Sequence, residues 1–126
     1  MRLFLFLRFS IFLLSVTAAY PQSDARGVLP AQWHDSGFYA GDDHYNALTA
    51  ASDGRIYYVI SAKGIEQGAR MFVYDPASRT SRMVADLTEA VGEKGRKTVP
   101  QGKSHVGFHE WKGKLYFGTH LGYYRH

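Results

Sequence analysis

Cysteine is absent from the 126-residue chain. No disulfide can brace the fold and no thiolate can hold a metal. Lipid attachment through a cysteine at a signal-cleavage site is excluded as well. The fold must be held by burial. Net charge is also small, with 15 Lys+Arg against 11 Asp+Glu, or +4. Setting aside Arg2 and Arg8 of the N-terminal segment leaves 13 against 11, or +2. So slight an excess gives no footing for a polyanion-binding surface over the whole molecule, and no nucleic-acid partner is expected. Long apolar runs are scarce too. The run in "MRLFLFLRFSIFLLSVTAAYPQS" is interrupted by Arg8, whereas a spanning helix needs about 20 apolar residues. A basic start, a short apolar core and the small residues Thr17-Ala18-Ala19 are the marks of a secretory signal peptide over residues 1–19. The chain is therefore expected to be secreted or periplasmic. Membrane contact is expected only if that segment stays uncleaved.

What the chain does have is aromatic side chains and glycine: nine Tyr, eight Phe, two Trp and 13 Gly. Tyr, Phe and Val beside glycine-containing turns predict an all-β protein. Residues 20–43, punctuated by Pro21, Gly27, Pro30, Gly37 and Gly41, read as an irregular leader across a surface, with Trp33, Phe38 and Tyr39 packing it down or, alternatively, stacking on sugar rings. Strand pattern follows over residues 46–52, 55–61, 69–74 and 80–86. Asp53-Gly54 and Asp75-Pro76-Ala77-Ser78 supply the sharp turns. Residues 88–103 are polar loop with one helical turn at most, and strand pattern returns from Ser104. The chain also repeats itself. Gly54-Arg55-Ile56-Tyr57-Tyr58 matches Gly113-Lys114-Leu115-Tyr116-Phe117 at an offset of 59 residues. A four-stranded unit recurring at about 40–50 residues is the mark of a blade repeat.

The stretch "TVPQGKSH" ends in Gly102-Lys103-Ser104, the tail of a phosphate-binding loop. The full pattern requires glycine where Lys97 stands, a buried strand before the loop and a helix after it. None of the three is present in the sequence, so the segment is expected to be a loop between two β-units.

The histidines carry more chemistry. His105 and His109 have helical metal-pair spacing, but on a strand they lie ~13 Å apart at about 3.3 Å per residue and cannot share an ion. The turn at Lys112-Gly113 offers a different pair. A two-residue loop opposes Trp111 to Lys114 and carries His105 directly opposite His120, whereas a three-residue loop pairs His105 with Thr119. Opposed side chains have Cβ atoms about 4.5–5.5 Å apart, close enough for two imidazoles to share a divalent metal or an anion. The same arithmetic in the first unit opposes Asn46 to Ser61, at positions equivalent to His105 and His120. Lys103 adjoins that rim and can meet an acidic sugar or a carboxylate. Lys94, Arg96 and Lys97 with Lys103 form a basic loop, read as a solvated loop or, alternatively, as a patch for polyanions such as an acidic polysaccharide. Asp42-Asp43 lacks the spaced ligands of a calcium loop.

The phrases "GRIYYVIS" and "ARMFVYDPASRTSRMVADL" resemble a blade of the extracellular β-propellers, the group of kelch/galactose-oxidase-like, gluconolactonase-like and oligogalacturonate-lyase-like proteins. The resemblance implies antiparallel four-stranded blades. The first would span residues 44–87 and an inter-blade loop 88–103. A second, incomplete blade would fill 104–126, making about one and a half in all. It further implies a truncated N-terminal part of a propeller, completed by blades from a longer chain or another protomer. Propellers host lyases, hydrolases, oxidoreductases and pure binding scaffolds. The expectation is a small polar or saccharide ligand at a channel-side rim formed by His105, His120, Lys103 and Asn46. The alternatives are a non-catalytic interaction propeller and a product with no function of its own.

Overall fold

The computed structural model describes residues 27–122. The signal-peptide expectation for residues 1–19 lies outside them. The chain divides into Met1–Gln32 and Trp33–His126. Of the first part, residues 27–32 carry neither helix nor strand. Everything below concerns the second part. Among the described residues no helix is long and apolar enough to cross a membrane.

Four strands form an antiparallel sheet in simple sequence order: β1 Leu48–Ala50, β2 Ile56–Ile60, β3 Arg70–Asp75 and β4 Thr80–Asp86. One helical turn, α1 Leu87–Ala90, follows directly. Asp86 caps it, its carboxylate accepting from the Thr88 and Glu89 backbone amides at 3.0 and 3.2 Å. A second, two-stranded sheet pairs β5 His109–Trp111 with β6 Lys114–Tyr116. The all-β expectation is met, and the four-strand run of the first unit falls where the turn residues placed it. The second unit starts later than expected. Its first strand begins at His109, not near Ser104.

Alternation along β2 and β3 sends side chains to both faces of the four-stranded sheet, and each face is covered. On one side Val59, Ala69, Met71 and Leu87 bury with Ala47 and Phe108, and Tyr57, Leu115 and Phe117 pack against them. The hairpin β5–β6 thus lies on this face. Thr49 pins it there, its Oγ1 accepting from the Phe108 amide at 3.0 Å. Glu110 holds the other end, accepting from the Ser52 amide at 2.8 Å and the Ser52 hydroxyl at 2.5 Å. On the opposite side Phe38, Ala62 and Phe72 form a smaller cluster with Tyr58 and Ile60. Part of the expected surface leader is therefore a packed element. Phe38 is buried, and the leader continues as a β-bridge from Gly41 to Ala62. Trp33 and Tyr39 do not share in this, both being exposed.

The two turns differ, and the difference sets both registers. Lys112 and Gly113 both have positive φ, 49° and 70°, as a tight two-residue turn between twisted strands requires. Trp111 accordingly opposes Lys114. In the first hairpin Gly54 has φ 79°. Its amide donates to the Ala51 carbonyl, and Ala51 N–H bonds Arg55 O. That is a three-residue loop, not the expected two-residue one. The pairs become Leu48 with Tyr58 and Thr49 with Tyr57, so Asn46 does not oppose Ser61. A further slip ahead of β1 gives Ser61 to other partners, with its amide on Asp43 O and its carbonyl on Asp42 N–H.

Candidate functional site

Residues 99–104 cross between the two sheets, and this crossing explains the Gly-Lys-Ser spelling. The Gln101 and Gly102 carbonyls accept from Ala69, just before β3, and Ala62, just after β2. Lys103 and His120 exchange both backbone hydrogen bonds, at 3.2 and 3.1 Å, tying the segment to the chain beyond β6. A β-carbon on Gly102 would stand 2.4 Å from Gly122 Cα, so only glycine fits this backbone approach. Ser104 is buried and its hydroxyl donates to the Gly118 carbonyl at 2.9 Å. Among the described residues no strand leads directly into the triplet and no helix opens after it, and the serine hydroxyl is spent on the backbone.

Lys103 is only 6% exposed. Its aliphatic stem is buried, and its ammonium donates to the Tyr45 hydroxyl at 3.1 Å. Beside it, the Tyr45 and His105 rings lie 4.0 Å apart, centre to centre. The His105 and His120 rings meet edge to face at 4.4 Å. The two histidines are exposed. Three expected site residues, Lys103, His105 and His120, are thus brought together, and Tyr45 joins them. Asn46 does not. It is exposed ahead of β1, with its backbone carbonyl accepting from Leu48.

The histidines meet by a route other than direct opposition. The backbone partner of His120 is Lys103, not His105. Between this bridge and the His109–Tyr116 pair, the first strand carries two more residues than the second. The extra length turns His105 and Val106 outward while Phe108 dives into the core. The imidazoles then touch because both emerge on the exposed side of the crossing.

The chemistry follows from these neighbours. His120 Nδ1–H donates to the Leu121 carbonyl at 2.9 Å, which leaves Nε2 of the neutral ring as an acceptor. His105 titrates below its ordinary 6.5. Loss of water around the ring is the main cause, then the charges of His120 and Lys103, against a smaller opposing pull from Asp43. Among the described residues no three His, Cys, Asp or Glu side chains gather as a metal set. Two imidazoles beside an ammonium suit an anion or a hydroxyl-rich ligand better than a divalent cation.

The chain matches no known family model, no curated protein and no solved structure. The geometry therefore carries the functional argument.

The basic loop is not a one-signed patch. Lys94 pairs with Glu89 at 2.6 Å, and Lys94 and Arg96 line a recess of about 510 Å³ together with Glu66 and Glu93. Tyr45 was not foreseen. It lies 58 residues before Lys103 and outside the repeated segments, so no local signal marked it.

A proton titration checks the cluster. The unfolded chain takes up the proton first as pH falls through 6.5, so acidification below that value should lower folded-state stability. In an NMR titration the His105 ring should show a midpoint below 6.5. His120→Gln should raise that midpoint without restoring it fully, because desolvation remains the larger cause. An unchanged midpoint in the variant would show that the imidazoles are not neighbours in solution.

Proposed function

We propose that this chain is an exported, propeller-like β-segment that binds a small hydroxylated acid, of the uronic-sugar kind, at the rim formed by Tyr45, Lys103, His105 and His120. The observation that carries the reading is the meeting of two exposed imidazoles over a buried ammonium, 4.4 Å apart and within the field of Lys103. Besides the loss of water around the ring, the charge of Lys103 acts on His105 and outweighs the opposing pull of Asp43. That ammonium attracts a carboxylate. The free Nε2 of His120 accepts from a sugar hydroxyl, and a Tyr45–His105 ring pair offers an edge for the sugar's apolar face. The reading is one of binding. Ser104, the hydroxyl next to His105, is buried and engaged, so the rim offers no serine nucleophile.

Titration with galacturonate, followed on the His105, His120 and Tyr45 ring signals, tests this. Galacturonate should shift all three, and galactose should bind about tenfold more weakly for want of a carboxylate, a difference of about 1.4 kcal/mol. Affinity should rise as pH falls below 6.5 and His105 takes up its proton while the uronate stays ionised. Equal responses to acid and neutral sugar, or shifts elsewhere in the molecule, would reject the reading.

A further inference from the structure

The repeat contains an interface that the chain uses once, leaves open on the second hairpin and only partly covers on the far face of the first sheet. Ile56, Tyr57 and Tyr58 of β2 correspond in sequence to Leu115, Tyr116 and Phe117. Pairing extends the correspondence across each hairpin, since Thr49 opposes Tyr57 where His109 opposes Tyr116. In the first unit Thr49 and Tyr57 face the core that the second unit covers. In the second unit the equivalent residues His109 and Tyr116 face outward, beside Trp111. Trp111 is 55% exposed and Tyr116 47%. The side that does the covering is Leu115, Phe117 and Phe108, the last tilted against Phe117 with ring centres 4.4 Å apart. Its equivalents in the first unit are Ile56, Tyr58 and, opposite Tyr58, Leu48. Leu48 is 51% exposed. The residues at 34–44 shield part of this face, Phe38 lying on Phe72 and His44 edge-on to Tyr58, but the Leu48 end stays open.

We infer that the outward face of β5–β6, carrying His109, Trp111 and Tyr116, docks the Leu48–Ile56–Tyr58 face of a second copy of this chain. The contact would repeat between copies the stacking that already joins the two sheets within one. Such a contact is heterologous: each copy offers one face and receives on another. A two-fold pairing of hairpin with hairpin is disfavoured, because Lys112 lies over the Trp111 ring and Lys114 opposes Trp111 in the register. A two-fold contact would set these four ammonium groups against one another.

Sedimentation of the full chain across a concentration series is the first test, and association beyond the monomer is expected. A front variant, Trp111→Ala with Tyr116→Ala, and a back variant, Leu48→Glu, should each remain monomeric alone. Mixed, they should form a one-to-one dimer and stop there, since each supplies the face the other lacks. A wild-type chain that stays monomeric at its highest soluble concentration overturns the inference without any variant. So does a mixture of folded variants that stays monomeric, which would mean that the association uses another surface.

Discussion

Gly102→Ala should unlock the crossing that holds the two sheets together. The added methyl would stand 2.4 Å from Gly122 Cα and 2.8 Å from Gly122 N, a clash with backbone that no rotamer relieves. The crossing strand must move out, and the bonds it makes go with it: Ala69 to Gln101, Ala62 to Gly102, and the paired bonds of Lys103 with His120. Overpacking of this kind costs about 1–3 kcal/mol before the lost hydrogen bonds are counted. The reciprocal change is a built-in control. A β-carbon on Gly122 meets Gly102 Cα at 3.4 Å, ordinary contact, so Gly122→Ala should cost much less. Urea unfolding gives the stability of both variants, and the His105–His120 ring NOE reports the site directly. Gly102→Ala should lose the NOE while Gly122→Ala keeps it. Two equally stable variants would mean that the crossing is looser than this geometry.

Phe72→Ala should have the largest effect on folding. Phe72 is 2% exposed at the centre of β3. It lies 5.6 Å from Tyr58 in a stacked pair and 6.3 Å from Phe38. Its truncation removes the side chain on which the leader packs, and Phe38 cannot fill the space without leaving Ala62. Large-to-small changes at buried phenylalanine cost about 3–5 kcal/mol. A domain of this size has only roughly 5–15 kcal/mol in hand. With no cysteine to brace it, the chain should lose most of its cooperative thermal transition or melt well below the wild type. Calorimetry decides. A fall of under about 1 kcal/mol would show that the Phe38 side of the sheet contributes little, and that stability rests on the face carrying Val59, Met71 and Leu87.

Strand positions were legible because side-chain alternation and turn chemistry are local. Asp53-Gly54, Asp75-Pro76 and Lys112-Gly113 punctuate the strands where the structure does. The register of the first hairpin was not legible. Asp-Gly serves a two-residue loop and a three-residue loop with a bulge equally well, and only the partner strand decides which. Phe38 was foreseen as a packing residue, but Trp33 and Tyr39 were not distinguishable from it. All three are aromatic in a glycine-rich stretch, and burial depends on which one reaches Phe72.

By itself the sequence determined an antiparallel β-fold without disulfides, a repeated hairpin, and the candidacy of Lys103, His105 and His120. These rest on composition, on periodicity and on a short loop, all of which act over a few residues. The tertiary structure decided that Tyr45 belongs to the site and Asn46 does not, and that the imidazoles meet over a slipped register. It also decided that Gly-Lys-Ser is a buried crossing. Each of these depends on contacts between segments far apart in the chain. Those contacts are chosen by the packing of two sheets on one core, which no stretch of sequence encodes alone.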